Sequence, residues 1–362
     1  MQLSMRRAAL GIALVSTLAL AVAGCGSTTS APTSSGPVAL QETGSTLLYP
    51  LFNIWVPVYT KSHKGVTITT AGTGSGTGIT DAGNGTVQIG ASDAYLAPGA
   101  PSGLMNIPLA ISAQQIMYNV PGFNSTHLNL SGQVLAGIYT GKITNWDDPA
   151  IAAINPGKHL PNLKIVPLHR ADGSGDTFLF TQYLSFSNPT TWGSSSGPKY
   201  ATSISWPPVP GSVSATGNGG MVDSLAQDQG GVAYIGISYL NQAVQKGLGY
   251  AAVENQAGNF VLPTQATITA EAQGKVAQTP ANEAISLIYG TGAQAYPIIN
   301  YEYAIVNQHQ SSAQVAKAVR TFLDWAVSPS GGSQQQFLNQ VHFLPLPSAV
   351  VQLSQTQIAK IK

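Results

Sequence analysis

Three glycine- and hydroxyl-rich turns, each placed where a predicted helix starts, constrain the fold of this chain more than any other feature. The clearest leads from the strand-like segment 164–168 through residues 169–177 into an apolar-periodic segment that begins at Phe178. Residues 44–50 and 72–79 repeat the pattern. Recurring strand–turn–helix units are typical of an α/β protein with a mostly parallel sheet. Ligands of such proteins bind at the carboxyl ends of the strands, where these turns lie.

The composition excludes several classes of function. Of the 362 residues, 43% are hydrophobic and only 8% are charged, with 15 Lys and Arg against 14 Asp and Glu. Soluble domains average about 25% charged residues, so we expect a surface of uncharged polar groups. The sequence has no basic patch of the kind that indicates a nucleic-acid partner. It also has no acidic run that would suggest bulk metal binding. The six histidines lack the spacing of metal ligands. We therefore expect no metal and no cofactor.

The N-terminal segment has the pattern of a signal peptide, which we assign to residues 1–24. A basic stretch at 1–7 precedes an apolar stretch at 8–23 that is too short for a comfortable membrane span. The small residues before Cys25, the only cysteine, resemble a bacterial lipobox; a plain secretory cleavage site is the alternative. We expect Cys25 to carry a lipid such as palmitate. Residues 25–38, rich in Ser, Thr, Pro and Gly, would form a flexible tether at the extracytoplasmic face of the cell membrane.

Motifs of the common catalytic and nucleotide-binding folds are incomplete. The nucleophile elbow G-x-S-x-G fails at Ser75 and at Ser174, because threonines or aspartates occupy its outer positions. Neither a P-loop nor a dinucleotide fingerprint is complete in the glycine turns. His169 is close to Ser174 in sequence, but a structural histidine is the simpler interpretation. We therefore expect no catalytic residue.

The same turns favour binding of an anion. Amides at a helix N-terminus point outward without partners, and the positive end of the helix dipole lies behind them. Arg170 adjoins one such turn, and Arg320 is the only other arginine after residue 7. Asp93 and Asp176 add two carboxylates. Because an ionised carboxylate only accepts hydrogen bonds, it selects an oxyanion that keeps a proton, as phosphate does and sulfate does not.

Four segments closely resemble motifs of the phosphate-binding proteins of bacterial ABC phosphate importers: GSTL at 44–47, GSG at 74–76, GASD at 90–93 and RADGSGD at 170–176. The agreement continues in order to the C-terminus. The resemblance implies a type II periplasmic-binding-protein fold, in which two hinge strands join two α/β lobes. Lobe I would combine residues 39–113 and 300–362, and lobe II would be 114–299. The long extended runs near 110–115 and 298–301 would be the crossovers.

The resemblance also implies a ligand set. Carried over by position, the phosphate would be held by Thr46, Leu47, Ser75, Asp93, Arg170, Ser174 and Gly175, with Ser45 adjacent and plausible. Two positions depart from the family: Leu47 replaces a frequent aromatic residue, and Asp176 replaces a frequent hydroxyl residue. Asp176 would place a second acceptor at the site. We hypothesise that Asp93 and Asp176 accept two ligand protons, or that one of them is protonated.

The function implied by the resemblance is high-affinity capture of inorganic phosphate outside the cytoplasmic membrane. Its partners would be the permease and ATPase subunits of an ABC importer. Two alternatives remain at this stage: a phosphate-ester hydrolase, and a binding protein for another oxyanion or for a phosphorylated metabolite. Asp93 argues against sulfate and molybdate.

Overall fold

The computed structural model describes residues 36–362. The predicted signal peptide, Cys25 and nearly all of the predicted tether lie outside the described residues. The first strand begins at Val38, one residue before the predicted start of the globular region.

Twelve strands occur in the described part of the chain: β1 Val38–Gly44, β2 Val66–Gly72, β3 Ile89–Ser92, β4 Leu104–Tyr118, β5 Asn129–Leu130, β6 Val166–Arg170, β7 Val213–Ala215, β8 Gly231–Gly236, β9 Gly249–Tyr250, β10 Ala252–Glu254, β11 Phe260–Val261 and β12 Ile299–Asn307.

Eleven α-helices accompany them within residues 36–362: α1 Tyr49–Ser62, α2 Ser75–Asn84, α3 Gly132–Tyr139, α4 Pro149–Ala153, α5 Gly175–Ser187, α6 Gly217–Gln227, α7 Leu240–Gln245, α8 Gln265–Lys275, α9 Ala313–Val327, α10 Gln335–Leu338 and α11 Ser348–Ile358. Short 3₁₀ turns occur at Ile237–Tyr239, Val276–Gln278 and Asn339–Val341. None of these helices is long and apolar enough to cross a membrane.

The main sheet has the strand order β2-β1-β3-β12-β4-β8-β6-β7, with β9 also paired to β4. Strand β1 pairs in parallel with β2 and β3, and β6 pairs in parallel with β7 and β8. The central strands β12 and β4 are antiparallel to their neighbours. The prediction of parallel pairing therefore holds for the two flanking groups of strands and is wrong for the centre.

Strand β4 joins the two parallel groups. Its residues 104–113 pair with β12, whereas its residues 114–118 pair with β8. The chain returns between the groups just before β12, where the Gln114 amide donates to the Ile298 carbonyl at 3.0 Å. These are the two stretches that the sequence predicts as crossovers.

The direction of β4 decides where the strand ends lie. Strands β3 and β4 are both antiparallel to β12, so β3 and β4 run the same way. Strand β8 runs opposite to β4. The carboxyl ends of both parallel groups therefore point toward the middle of β4, and the turns that follow them face one another.

Helix α1 is held against helix α9 by aromatic packing. Phe52, Trp55 and Tyr59 are fully buried and pack against Phe322 and Trp325 of α9 with ring centroids 5.0 to 6.1 Å apart. Large aromatic side chains contribute much of the energy of a core. This packing holds the turn at 45–48 in place.

Helix α1 contains an internal proline. Pro57 lies within the helix, which continues to Ser62. Pro57 leaves the Asn53 carbonyl without its helical donor, but both residues are exposed, so water can replace that bond. In the turn before the helix, Ser45 Oγ accepts hydrogen bonds from the amides of Leu47 at 3.1 Å and Leu48 at 2.9 Å.

Candidate functional site

A buried polar cluster lies where the carboxyl ends of β1, β3 and β6 face one another. Ser45 follows β1, Asp93 follows β3 and Arg170 ends β6. Only 1%, 2% and 4% of these residues' surfaces, respectively, are exposed. Burial of charged groups is costly unless they are paired and hydrogen-bonded, so the surroundings of the two charged residues indicate a specific task.

The Asp93 carboxylate is held by two serines. Ser45 Oγ donates to Asp93 Oδ1, and Ser75 Oγ donates to Asp93 Oδ2 at 3.4 Å. The Asp93 amide in turn donates to Ser75 Oγ at 3.2 Å. Ser75 is the first residue of α2, so the second glycine turn and the end of β3 form one rigid unit.

Arg170 is enclosed by two carboxylates. Its Nε donates to Asp172 Oδ1 at 2.7 Å, its Nη2 contacts Asp172 Oδ2, and its Nη1 donates to Asp176 Oδ2 at 2.9 Å. The Arg170 side chain is 1% exposed. Five N–H donors are available on a guanidinium, so these three contacts leave two donors for other acceptors.

Helix α5 begins beside this ion pair as predicted. Ser174 is its cap and accepts a hydrogen bond from the Thr177 amide at 3.3 Å. Asp176 lies in the first turn and is 0% exposed. Gln114 of β4 donates to Asp176 Oδ1 at 3.1 Å. A carboxylate near a helix N-terminus is stabilised by the helix dipole.

Asn218, at the start of α6, connects the facing turns. Its Nδ2 donates to Thr46 Oγ1 at 3.0 Å and to Asp176 Oδ2 at 2.7 Å. Its own amide donates to Thr46 Oγ1 at 3.1 Å. The Gly236 amide donates to Asn218 Oδ1 at 2.8 Å, which fixes the orientation of the side-chain amide.

Close backbone approach explains the glycines of two turns. The Gly76 amide donates to the Gly173 carbonyl at 2.9 Å. A Cβ added to Gly175 would lie 2.4 Å from Asp93 Oδ2 and 2.6 Å from Ser75 Oγ. Gly74 has φ +96, a conformation that favours glycine. These two turns therefore meet, and the turn at 44–50 joins them through the contact of Ser45 with Asp93.

The cluster holds more negative than positive groups. Burial, reinforced by the charge of Asp176, raises the pKa of Asp93. Burial also raises the pKa of Asp176, although the Arg170 charge opposes the shift. Burial alone would raise the pKa of Asp172, but its hydrogen bond to Arg170 and the Arg170 charge lower that pKa. Such a site favours a ligand that brings protons with it.

His169, which is close to Ser174 in sequence, has structural contacts of its own. The His169 ring stacks on Trp206 with centroids 5.1 Å apart, and its Nδ1 lies 3.3 Å from the Arg170 carbonyl. These contacts account for His169 as a structural residue. Within residues 36–362, no group of three His, Cys, Asp or Glu side chains could hold a metal ion.

Three polar side chains of the cluster were absent from the predicted ligand set: Asp172, Gln114 and Asn218. A fourth, Glu302, adjoins the cluster through Asn300, which donates to Glu302 Oε1 and to the Asp93 carbonyl. Asp172 lies inside a quoted motif, between Arg170 and Asp176 in sequence. Gln114 and Glu302 are polar residues within otherwise apolar strand runs, which was the signal available in the sequence. Asn218 lies in a predicted helix start, but its contact with Thr46 depends on tertiary structure.

Two cavities lie away from the cluster. One, of about 950 Å³, borders Ile111 and α8 and has no charged lining residue. Another, of about 650 Å³, has Lys142 and Glu254 as its only charged lining residues. Neither offers the concentration of donors that an anion needs.

Comparison with known proteins identifies the family. The family model described as a PBP superfamily domain matches residues 29–330. The phosphate-binding protein PstS of Xylella fastidiosa (strain 9a5c) is 32% identical over 87% of this chain and 83% of its own length. PstS of Pasteurella multocida is 31% identical over 97% of this chain and 95% of its own length. The crystal structure of a phosphate-binding protein from Stenotrophomonas maltophilia superposes with a TM-score of 0.65 at 21% identity, over 88% of this chain and 93% of that protein.

The chain therefore belongs to the PBP superfamily and, within it, to the family of phosphate-binding proteins named PstS. The predicted α/β periplasmic-binding-protein fold is confirmed.

Proposed function

We propose that this protein binds inorganic phosphate with high affinity outside the cytoplasmic membrane and delivers it to an ABC importer. The observation that supports this most directly is the buried Arg170, placed with Asp93 and Asp176 where three helix-start turns meet. The relatives named above bear the name of phosphate-binding protein. The proposed ligands are Ser45, Thr46, Leu47, Ser75, Asp93, Arg170, Ser174, Gly175 and Asp176.

Each part of the site has a distinct role. The remaining donors of Arg170 would form charge-assisted hydrogen bonds with the phosphate oxygens. The amides of Thr46, Leu47 and Gly175, with the hydroxyls of Thr46, Ser75 and Ser174, would satisfy the other oxygens. The Leu47 amide, which contacts Ser45 Oγ, would be shared with the ligand.

The carboxylates would provide selectivity. Asp93 would accept a hydrogen bond from a phosphate proton, and the free lone pair of Asp176 Oδ1 could accept another. A ligand without protons would leave a buried carboxylate unpaired, at a cost of several kcal/mol. Sulfate is therefore excluded because it has no proton to donate to the carboxylates, and not because of its size.

Affinity and release would depend on a hinge motion of two lobes. We infer that lobe I comprises residues 39–113 and 300–362, and lobe II residues 114–299. The contacts of Asn218 with Thr46 and of Gly76 with Gly173 would then form only when the lobes close. Ligand binding would shift the population toward that closed state.

The protein would act by binding alone, without breaking a bond. Its partners would be the permease and ATPase subunits of the importer. Cleavage at residue 24 and lipidation of Cys25, for example with palmitate, would hold it at the extracytoplasmic face of the membrane. The lipobox-like sequence before Cys25 supports this anchoring.

Calorimetry of residues 37–362 with phosphate, arsenate and sulfate tests the function. We expect tight binding of phosphate and arsenate and none of sulfate. Sulfate binding as tight as phosphate binding would refute the role of the carboxylates. Turnover of p-nitrophenyl phosphate would instead favour the hydrolase, and tighter binding of a phosphorylated metabolite would identify a different ligand.

The two arginines of the globular region offer a matched pair of variants. Arg170→Lys removes a fork of donors that an ammonium cannot reproduce, so we expect the phosphate Kd to rise at least about a hundredfold, or about 2.7 kcal/mol. Arg320 donates to the Ile361 carbonyl outside the cluster. Arg320→Lys should leave the Kd unchanged; equal effects of the two substitutions would contradict the assignment of Arg170.

A further inference from the structure

Glu302 is a buried carboxyl group that lies next to the site but outside the proposed ligand set. It is 0% exposed and belongs to β12, one of the two central strands. Ser112 Oγ donates to its Oε1 at 2.5 Å, and Asn300 Nδ2 donates to the same atom at 3.0 Å. Ser112 and Asn300 are register partners on β4 and β12, so Glu302 is attached to both strands at the crossover.

The second carboxyl oxygen of Glu302 indicates where a proton must lie. Oε2 is buried, and no donor in the described part of the chain reaches it. Asn300 Nδ2 donates both to Glu302 Oε1 at 3.0 Å and to the Asp93 carbonyl at 3.4 Å, so the two acids are neighbours. Two neighbouring ionised carboxylates would repel strongly in a buried environment. A single shared proton removes the repulsion and gives Oε2 its partner.

The surrounding charges favour Glu302 as the holder of that proton. The ionised form of Asp93 is stabilised by the hydroxyls of Ser45 and Ser75 and by the positive charge of Arg170. Glu302 has only uncharged donors, and burial followed by the charge of Asp93 raises its pKa.

The other elements packed around Glu302 and Asp93 have little effect on which of the two acids holds the proton. Strand β4 and strand β12 contribute the neutral Ser112 and Asn300. The remaining charged groups are Asp176 of α5 and Arg170 with its partner Asp172, which are paired with one another. The proton is therefore best placed on Glu302.

We propose that Glu302 is a positioning residue that, as a neutral acid, donates a hydrogen bond to Asp93 and so keeps Asp93 an ionised acceptor for a phosphate proton. This inference rests on the proposed function. Without that donor Asp93 would itself take up a proton, and a protonated Asp93 no longer disfavours sulfate.

The protonation of Glu302 can be measured without ligand. In the infrared difference spectrum between wild type and Glu302→Gln at neutral pH, we expect loss of one carbonyl stretching band of a protonated carboxylic acid. Loss of carboxylate bands instead would show that Glu302 is ionised and would overturn the inference, whether or not phosphate binds.

The role in selectivity is tested by calorimetry with phosphate and sulfate. Glu302→Gln keeps a neutral donor, so its phosphate Kd should stay within about threefold of wild type. Glu302→Leu removes the donor, and its ratio of sulfate to phosphate Kd should fall by about tenfold or more, the size of one hydrogen bond to a charged group. Glu42→Gln, another buried carboxyl substitution, is the matched control and should change neither Kd.

The outcomes separate this inference from the proposed function. Phosphate binding by wild type with unchanged selectivity in Glu302→Leu would refute the inference alone. Wild type that binds no phosphate would refute the proposed function and, with it, the selective role of Glu302. If Glu302→Leu does not fold, as judged by circular dichroism, the infrared result with Glu302→Gln decides.

Discussion

Asp176 is unusual among the residues of the site because a carboxylate at an anion site repels its ligand unless it has another use. Here it pairs with Arg170 at 2.9 Å and accepts from Asn218 at 2.7 Å. Two of its acceptor positions are therefore occupied on Oδ2, while among residues 36–362 Oδ1 accepts only from Gln114. Asp176 both orients the arginine and presents a lone pair toward the ligand side.

Replacing Asp176 by asparagine should change the pH dependence of binding. The ionised carboxylate requires a ligand proton, so wild-type affinity should fall as phosphate loses its second proton between about pH 6 and about pH 8. Asp176→Asn supplies an amide that can donate, so its affinity should fall by less over the same range, by a factor of at least about three. Calorimetry at several pH values measures this; identical pH profiles would show that Asp176 serves Arg170 alone.

At the scale of an element, the start of α5 must approach Asp93 and Ser75 closely. Gly175→Ala would place a Cβ 2.4 Å from Asp93 Oδ2, although its backbone conformation suits alanine. We therefore expect the phosphate Kd to rise at least about a hundredfold, with little loss of stability in the open form. Phosphate titrations followed by calorimetry and thermal melts would measure both effects.

Gly274 of α8 is the matched control for that substitution. It is also a helical glycine, but an added Cβ would meet nothing within 4 Å. Gly274→Ala should leave phosphate binding unchanged and stabilise the protein by about 0.5–1 kcal/mol, since alanine is the better helix former. A loss of phosphate affinity in Gly274→Ala equal to that in Gly175→Ala would refute the steric argument.

The elements that the sequence predicts well are those with strong local signals. The turn into α5, with Arg170 before it and Ser174 as its cap, follows from local chemistry. The run that forms β4 is apolar enough to be recognised as extended, and its pairing changes from β12 to β8 after residue 113. Local signals fail where the partner is distant in sequence: Thr46 Oγ1 accepts a hydrogen bond from Asn218 Nδ2, which no local pattern indicates.

Contacts between distant elements could not be predicted from the sequence. Nothing local indicates that Gln114 of β4 reaches Asp176 of α5. Nor does anything local indicate that Glu302 lies beside Asp93, because that depends on the pairing of β12 with β3. The only signal in the sequence for these site residues was a polar residue within an apolar strand. Tertiary packing decides whether such a residue faces a site or a neutral partner.

At the scale of the whole molecule, several of the few acidic residues are buried. Glu42 is 2% exposed, and burial raises its pKa to about 8. Burial likewise raises the pKa of Glu271 to about 7 and that of Glu283 to about 8. All three are neutral in the folded protein at mildly acidic pH. On unfolding they return to their ordinary pKa and lose protons to the solvent.

The sign of the resulting pH dependence follows from linkage. A carboxyl whose folded pKa is raised contributes stability that is complete below its unfolded pKa and is lost as pH rises through the folded value. The free energy of unfolding of the phosphate-free protein should therefore fall between about pH 4.5 and about pH 8. Glu42→Gln cannot ionise, so it should match wild type near pH 4.5 and exceed it by about 3 kcal/mol at neutral pH. Denaturant unfolding at a series of pH values measures the difference, and a Glu42→Gln curve that stays parallel to wild type would show that Glu42 is not buried as a neutral acid.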